Sequence, residues 1–143
     1  MTTAQSFEGK SVIITGASAG VGAEVARVFA EQGARLMLVA RGKEALREIA
    51  TELGEQTKVE TMALDVSNSD GCRDLIKKTV FEFGCVHYLI NNAGAHHRGN
   101  FDLLDVDEIA QMVDVNLRAP LILSRIALEA IRESGGGGIV NVG

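Results

Sequence analysis

Three glycines near the amino terminus follow an apolar run and have the spacing of a phosphate-binding turn. The run Val12–Thr15 leads into Gly16, Gly20 and Gly22, in the pattern Gly-x-x-x-Gly-x-Gly, and helical periodicity begins at once. Glycine lets the main chain approach a ligand where a side chain would collide. The first N–H groups of a helix are unpaired and carry partial positive charge, which suits a pyrophosphate. The sequence therefore predicts a nucleotide site at this turn.

Other polar residues follow other apolar runs in the same way. These are Arg41 within Ala40–Gly42, at the end of the run Leu36–Ala40, and Asn91-Asn92-Ala93-Gly94 after Val86–Ile90. The carboxyl ends of parallel strands meet at one edge of a sheet, and ligands bind there near the change in strand order. We therefore expect these residues to lie beside the glycine turn, which supports a nucleotide site more strongly than the glycines alone.

Strand and helix patterns alternate along the chain. The first helix carries Val21, Val25, Val28 and Phe29 on one face and ends at Gly33; the second has Leu46, Ile49, Ala50 and Leu53 at helical spacing. A third begins near Ser67 and Asp70 with Cys72 on its apolar face, a long helix runs from about Asp105 to Arg132, and Ile139–Val142 is a fifth strand. Such alternation predicts an α/β, Rossmann-type doubly wound parallel sheet with helices on both faces.

Composition limits the classes of function. The chain has 143 residues, 46% of them hydrophobic, which suits one domain with a real core. A net charge of −5 and 4% aromatic residues argue against a nucleic-acid or anionic-membrane surface. Cys72 and Cys85 lack metal or redox spacing, which predicts reduced thiols. We expect a cytoplasmic protein with a small-molecule partner, no nucleic acid, no membrane and no metal.

Taken together, these motifs resemble the short-chain dehydrogenase/reductase family. Thr15–Gly22 is similar to its Thr-Gly-x-x-x-Gly-x-Gly turn, and Asn91–Gly94 to its Asn-Asn-Ala-Gly signature. Asp65-Val66 matches the place of the Asp that meets the adenine, and Asn116 that of the Asn in the catalytic Asn-Ser-Tyr-Lys set. The resemblance covers essentially the whole chain. It implies reversible hydride transfer between NAD(H) or NADP(H) and an alcohol or carbonyl substrate.

The resemblance also implies roles for individual residues. The phosphates would lie against the turn Gly16, Ser18, Ala19, Gly20, Val21 and Gly22; the adenine against Asp65 and Val66; the ribose side against Asn92, Ala93 and Gly94; and Asn116 would be catalytic.

Arg41 indicates which dinucleotide is expected. A carboxylate at the end of the second strand would pair with a ribose 2′-OH and repel a 2′-phosphate. Here Ala40 takes that position and Arg41 follows, and a guanidinium suits a phosphate. We therefore expect NADP, with NAD as the alternative. The other interpretation of Arg41 is a solvated loop charge.

Pro120 and two histidines leave alternatives open. Proline has no N–H, so the Asn116 carbonyl loses its helical donor; in the family this Asn holds a water in a proton relay. Alternatively, Pro120 only kinks the helix and Asn116 is solvated. His96 and His97 are adjacent, and successive side chains of an extended chain point apart. A solvated or substrate-lining loop is therefore favoured over a metal site.

The rest of the family's catalytic set is not found in these 143 residues. Their one tyrosine, Tyr88, lies in the fourth predicted strand and has Asn92, not Lys, four residues later. We expect a single, incomplete dinucleotide-binding domain over residues 1–143, truncated after the fifth strand and inactive alone.

Two further expectations concern partners. Ile139–Val142 would be an exposed apolar edge strand, which predicts a homo-oligomer. The alternative function is a non-catalytic nucleotide-binding or regulatory module that pairs with another chain. An enzyme that acts on a phosphate or methyl group is disfavoured, because the sequence has no Gly-Lys-Ser/Thr P-loop.

Overall fold

The computed structural model describes residues 6–143, so residues 1–5 of the predicted domain lie outside it. The strands are β1 Ser11–Thr15, β2 Arg35–Ala40, β3 Val59–Ala63, β4 Tyr88–Asn91 and β5 Gly138–Asn141. The helices are α1 Gly20–Glu31, α2 Lys43–Leu53, α3 Ser69–Phe83, α4 Val106–Val113 and α5 Ala119–Glu133. A 3₁₀ turn, Phe101–Leu103, precedes α4, and a π-helical turn, Asp114–Arg118, joins α4 to α5.

The five strands form one parallel sheet in the order β3-β2-β1-β4-β5. Val12 of β1 pairs with Leu36 of β2 on one side and with Tyr88 of β4 on the other. The strand order therefore reverses at β1, and the crevice between the ends of β1 and β4 is where such sheets bind ligands. The predicted Rossmann-type fold is confirmed.

Helices cover both faces of the sheet. Ile13, Met37 and Leu89 pack on one face with residues of α3 and α5, whereas Val12 and Leu38 pack on the other with residues of α1 and α2. Neighbouring strand residues point to opposite faces, so a strand covered on both sides reads as an unbroken apolar run. That is why the central strands could be located from the sequence.

The buried face of α1 differs from the prediction. The structure buries its small residues, Gly22, Ala23, Ala26 and Ala30, whereas Val21 and Val28 are 61% and 57% exposed. A Cβ on Gly22 would lie 2.1 Å from the Gly16 carbonyl oxygen. The helix therefore approaches the turn too closely for branched side chains to face it. The predicted core face was wrong at Val21 and Val28, whereas Val25 and Phe29 are partly buried against the core.

The start of α3 also differs in detail. Its N-cap is Asn68, whose side chain accepts a hydrogen bond from the Gly71 N–H at 3.0 Å. Ser67, the predicted start, instead donates to Asp65. Asp70 lies in the first turn, where its carboxylate complements the positive end of the helix dipole as predicted.

The predicted long helix is two α-helices joined by the π turn. The Ala119 N–H donates to the Asp114 carbonyl, five residues back, instead of to Val115. Pro120 directly follows and has no N–H to continue the regular ladder. The chain continues in one direction, but an extra residue is inserted where the sequence analysis predicted uninterrupted helix.

Candidate functional site

A cavity of about 310 Å³ lies at the carboxyl ends of the strands. It brings together seven of the predicted site residues: Gly16, Ser18, Arg41, Asp65, Val66, Ala93 and Gly94. The cavity is also lined by Ala40 and Gly42, which were predicted at the same strand end as Arg41. The remaining lining residues, which were not predicted, are Val39, Leu64, Ala95 and Val115. Most of these directly neighbour a predicted residue, and that position was the available signal; Val115, one residue from Asn116, was not recognised.

The other predicted residues lie around this cavity. Ala19, Gly20 and Val21 line a groove along the outer side of α1, next to Ser18, which borders both spaces. Gly22 and Asn92 pack against the main chain of Gly16. The structure therefore assembles the predicted turn, but only part of it faces the cavity.

Glycine is needed at two positions of the turn for different structural reasons. Gly16 has a positive φ of 63°, and a Cβ there would lie 2.9 Å from Ala93 Cα. Gly20 also has a positive φ, 55°, but its missing Cβ would meet no atom within 4 Å. Gly16 is thus required both by its backbone conformation and by the fit of two protein segments, whereas Gly20 is required by its backbone conformation alone and leaves open space beside the start of α1.

Thr15 links the glycine turn to the Asn-Asn-Ala-Gly segment. Its buried Oγ1 accepts hydrogen bonds from the N–H groups of Asn92 and Ala93, both at 3.0 Å. In return, Asn92 Nδ2 donates to the Gly16 carbonyl at 3.1 Å. Thr15 was not among the predicted site residues. A hydroxyl at the end of an apolar run was the signal that could have found it.

The first turn of α1 is open toward an anion. Its N-cap, Ala19, makes no side-chain capping bond, and its first turn has no acidic residue. In contrast, α3 and α4 are capped by Asn68 and Asp105 and carry acidic residues in their first turns. The early N–H groups of α1 and its dipole therefore stay available for a negatively charged ligand.

Asp65 and Arg41 form the polar end of the cavity. Asp65 Oδ1 accepts hydrogen bonds from the Ser67 hydroxyl at 2.7 Å and the Ser67 N–H at 3.0 Å. These two bonds lower the pKa of Asp65, and the positive charge of Arg41 lowers it further. The carboxylate is therefore ionised at neutral pH and its position is fixed by its own loop.

Asn116 joins the π turn to the segment after β4. Its Oδ1 accepts from the Ala95 N–H and its Nδ2 donates to the Ala95 carbonyl, each at 2.8 Å. The side-chain amide is therefore held by the main chain, although the residue is exposed. The π turn and Pro120 together leave the carbonyls of Val115 and Asn116 without their regular helical donors. The predicted loss of the donor at Asn116 is confirmed; its catalytic role stays a prediction.

A second cavity of about 470 Å³ adjoins the first. Ala93 and Gly94 line both, and Asn116, Pro120 and His96 line the second. His97 instead has its Nε2 2.6 Å from Gln111 Oε1 on α4, so the two histidines lie in different surroundings. Across residues 6–143, no three His, Cys, Asp or Glu side chains are grouped as metal ligands would be.

A family model described as short chain dehydrogenase matches residues 10–143. The chain belongs to the short-chain dehydrogenase family. A similar relative, an uncharacterised oxidoreductase of Thermotoga maritima, is 36% identical over 95% of this chain and 54% of its own length. The 11-beta-hydroxysteroid dehydrogenase 1A of Arabidopsis thaliana is 38% identical over 92% of this chain and 39% of its own length.

Solved structures of the family superpose closely on this short-chain dehydrogenase chain. L-sorbose reductase from Gluconobacter frateurii, complexed with NADPH and L-sorbose, has a TM-score of 0.91 at 30% identity, over 97% of this chain and 54% of its own. An alcohol dehydrogenase from Thermococcus sibiricus, complexed with 5-hydroxy-NADP, has a TM-score of 0.86 at 32% identity, over 92% of this chain and 57% of its own.

The chain covers only part of the length of these relatives. It spans 54% of the Thermotoga oxidoreductase and 39% of the Arabidopsis enzyme. In the part that the structure describes, no helix combines the length and apolar character needed to cross a membrane.

Proposed function

We propose that this chain binds NADP(H) and forms the cofactor-binding part of an oxidoreductase that transfers a hydride to or from an alcohol or carbonyl substrate. One observation carries the proposal: a single cavity joins the glycine turn to Arg41 and Asp65 at the strand-order reversal. The NADPH and 5-hydroxy-NADP named with two similar structures support it. When bound, the nicotinamide ring supplies the hydride chemistry.

The residues of the turn fit a pyrophosphate. The uncapped start of α1 offers N–H donors and no opposing carboxylate. We assign the phosphates to Gly16, Ser18, Ala19, Gly20, Val21 and Gly22. Gly22 acts in this assignment through the close packing of α1, not through ligand contact.

The remaining assignments follow the walls of the cavity. Asp65 and Val66 line the end proposed for the adenine, and Asn92, Ala93 and Gly94 form the segment proposed for the ribose side. Arg41 borders the same end as Asp65 and, in this proposal, binds the 2′-phosphate. The guanidinium is the residue that favours NADP over NAD.

The second cavity is proposed for the substrate. It begins where the first ends, at Ala93 and Gly94, and is bordered by Asn116 and His96. In this proposal the Asn116 carbonyl, released from the helical ladder, anchors a water that moves protons. The Asn116 side chain holds the intervening segment through Ala95.

Cofactor binding tests the proposal directly. We expect the chain to bind NADPH more tightly than NADH, measured by the fluorescence of the reduced nicotinamide. Arg41→Ala should weaken NADPH binding about tenfold, because a charge-assisted contact is lost, and leave NADH binding unchanged. Since these 143 residues contain no Tyr-x-x-x-Lys motif, we expect binding without carbonyl reduction.

Arg47→Ala is the matched control, because Arg47 is an exposed arginine of α2 outside this cavity. It should bind both dinucleotides like the parent chain. Absence of NADPH binding would overturn the proposal. An unchanged preference in Arg41→Ala would remove Arg41 from it, and robust turnover would contradict the expected inactivity.

The proposal includes self-association in the cytoplasm. Exposed apolar residues run along α4, the π turn and α5 at intervals of seven, four and four residues: Val106, Val113, Leu117 and Leu121. Leu117 and Leu121 also line the second cavity, so a partner bound to this row would lie beside that cavity. A continuous apolar row on a helix surface favours a protein partner. A second copy of this chain presents the same row, and such self-complementary contacts form two-fold dimers. The edge strand β5, on which the sequence prediction rested, is the alternative contact.

A further inference from the structure

Arg118 connects the end of the π turn to the segment between β3 and α3. Its Nη1 donates to the Ser67 carbonyl at 3.2 Å, and its Nη2 donates to the Ser69 hydroxyl at 3.1 Å. Ser69 is the first residue of α3, so the guanidinium bridges a loop and a helix start. One planar group thereby fixes two acceptors that lie two residues apart along the chain.

The segment between β3 and α3, where Arg118 donates a hydrogen bond, also lines the cavity. Asp65 and Val66 line the cavity, and Ser67 holds the Asp65 carboxylate through its N–H and its hydroxyl. Arg118 donates a hydrogen bond to the carbonyl of the same residue, Ser67. Movement of Ser67 would therefore move the Asp65 carboxylate with it.

The π turn also contributes to the same cavity. Val115, in its second position, lines the cavity and is buried. The turn thus contributes one lining residue through Val115 and a link to the Asp65 segment through Arg118. Both contributions come from one short stretch of chain, from residue 115 to residue 118.

We propose that Arg118 is a positioning residue for the adenine end of the cofactor site. It does not line the cavity, and it acts through Ser67 on Asp65 and Val66. This inference rests on the proposed function, because it assumes that the Asp65 end receives an adenine nucleotide. It assigns Arg118 a role in cofactor affinity, separate from the 2′-phosphate contact proposed for Arg41.

The test compares the binding of 2′,5′-ADP, the adenine half of NADP, with that of NADPH, by calorimetry. Arg118→Met should weaken 2′,5′-ADP binding about tenfold, because two hydrogen bonds that hold the loop are lost. NADPH binding should weaken by the same factor, since the nicotinamide end is untouched. Arg125→Met is the matched control, an exposed arginine of α5 that does not reach the Asp65 segment.

Two milder variants separate positioning from charge and from folding. Arg118→Lys keeps the charge but cannot span both acceptors, so it should remain severalfold weaker than the parent chain. Ser69→Ala removes only the Nη2 acceptor and should cost about threefold. In the double variant, Ser69→Ala should add little to Arg118→Met, because both remove the same bond.

The outcomes are distinguishable. Parent-like 2′,5′-ADP binding by Arg118→Met would overturn the inference. Full rescue by Arg118→Lys would also overturn it, because attraction by charge alone would then suffice. A larger loss for NADPH than for 2′,5′-ADP would show that the effect is not confined to the adenine end, and would contradict it too. Failure of the parent chain to bind 2′,5′-ADP would overturn the proposed function instead.

Discussion

Gly22 determines how closely α1 approaches Gly16 in the glycine turn. A methyl group there would lie 2.1 Å from the Gly16 carbonyl oxygen and 2.5 Å from Asn92 Nδ2, so α1 would have to shift. We expect Gly22→Ala to lower the free energy of unfolding by about 1–3 kcal/mol, in the range of overpacked sites. Urea unfolding measures the change, and NADPH affinity should fall with it.

Gly42→Ala is the matched control for Gly22→Ala. It stands at the start of α2, has a φ of −88° and would place its Cβ within 4 Å of no other atom. It should leave the unfolding curve within about 0.5 kcal/mol of the parent chain. Equal stability of the two variants would show that α1 tolerates the added methyl group.

For single residues, the sequence predicted which ones lie close together better than it predicted why a given residue type is needed. Gly16, Arg41 and Ala93 follow three different strands, and the rule that strand ends meet was enough to predict that they lie together. Gly22 was assigned to the phosphates by its spacing, but its Cβ would strike protein atoms. Spacing along the chain does not say which atoms lie opposite a residue after folding.

The junction of β1 and β4 is sensitive to the protonation of His87. His87 Nδ1 accepts a hydrogen bond from the Ser11 N–H at 3.0 Å, and a protonated imidazole could not accept it. Burial lowers the pKa of His87, and the charges of Lys10 and Arg35 lower it further. The folded chain therefore binds fewer protons than the unfolded chain as the pH falls below about 6.5.

Stability should accordingly decrease on acidification. The contribution of His87 is fully present above its unfolded pKa of about 6.5 and is lost as the pH falls through its lower folded value. We expect a lower Tm at pH 5 than at pH 7.5, and a smaller difference in His87→Gln. His96→Gln, at an exposed histidine, should keep the parent difference. A parent-like pH response in His87→Gln would contradict the assignment.

Among the elements, the strands were easier to predict than the helix faces. Buried parallel strands such as β2 show an unbroken apolar run. For α1, hydrophobicity pointed to Val21 and Val28, whereas close packing selected Ala26 and Ala30. The π turn was missed because Pro120 reveals a lost donor but not an inserted residue.

The apolar row on α4 and α5 predicts a dimer of the whole molecule. Val106, Val113, Leu117 and Leu121 are between 51% and 76% exposed. We expect sedimentation velocity to show a dimer for the parent chain and a monomer for the double variant Leu117→Lys, Leu121→Lys, because two buried charges without partners oppose association.

Two controls assign the contact. Phe81→Lys changes another exposed apolar residue, on α3, and should leave the dimer intact. Val140→Lys changes the edge strand β5 and should also leave it intact. Loss of the dimer in Val140→Lys alone would place the contact at β5, and a parent chain that stays monomeric at all concentrations would refute self-association.

For the whole molecule, the alternation of strands and helices sufficed to predict the parallel sheet and its two covered faces. The surface could not be predicted in the same way. Leu117 and Leu121 have the character of core residues, and only the fold shows that they remain outside. Hydrophobicity along a chain does not distinguish a residue that packs inside from one that stays exposed.

The extra residue in the π turn determines which side of α5 faces the core. A regular helix turns about 100° per residue, so it would carry the side occupied by Val115 on to Ile122, Ile126 and Glu129. A carboxylate would then face the core. With one residue inserted, that side passes instead to the buried row Leu123, Ala127 and Ile131. Deletion of a single residue here would therefore rotate α5 by about 100° and would turn part of its buried side toward solvent without changing its composition.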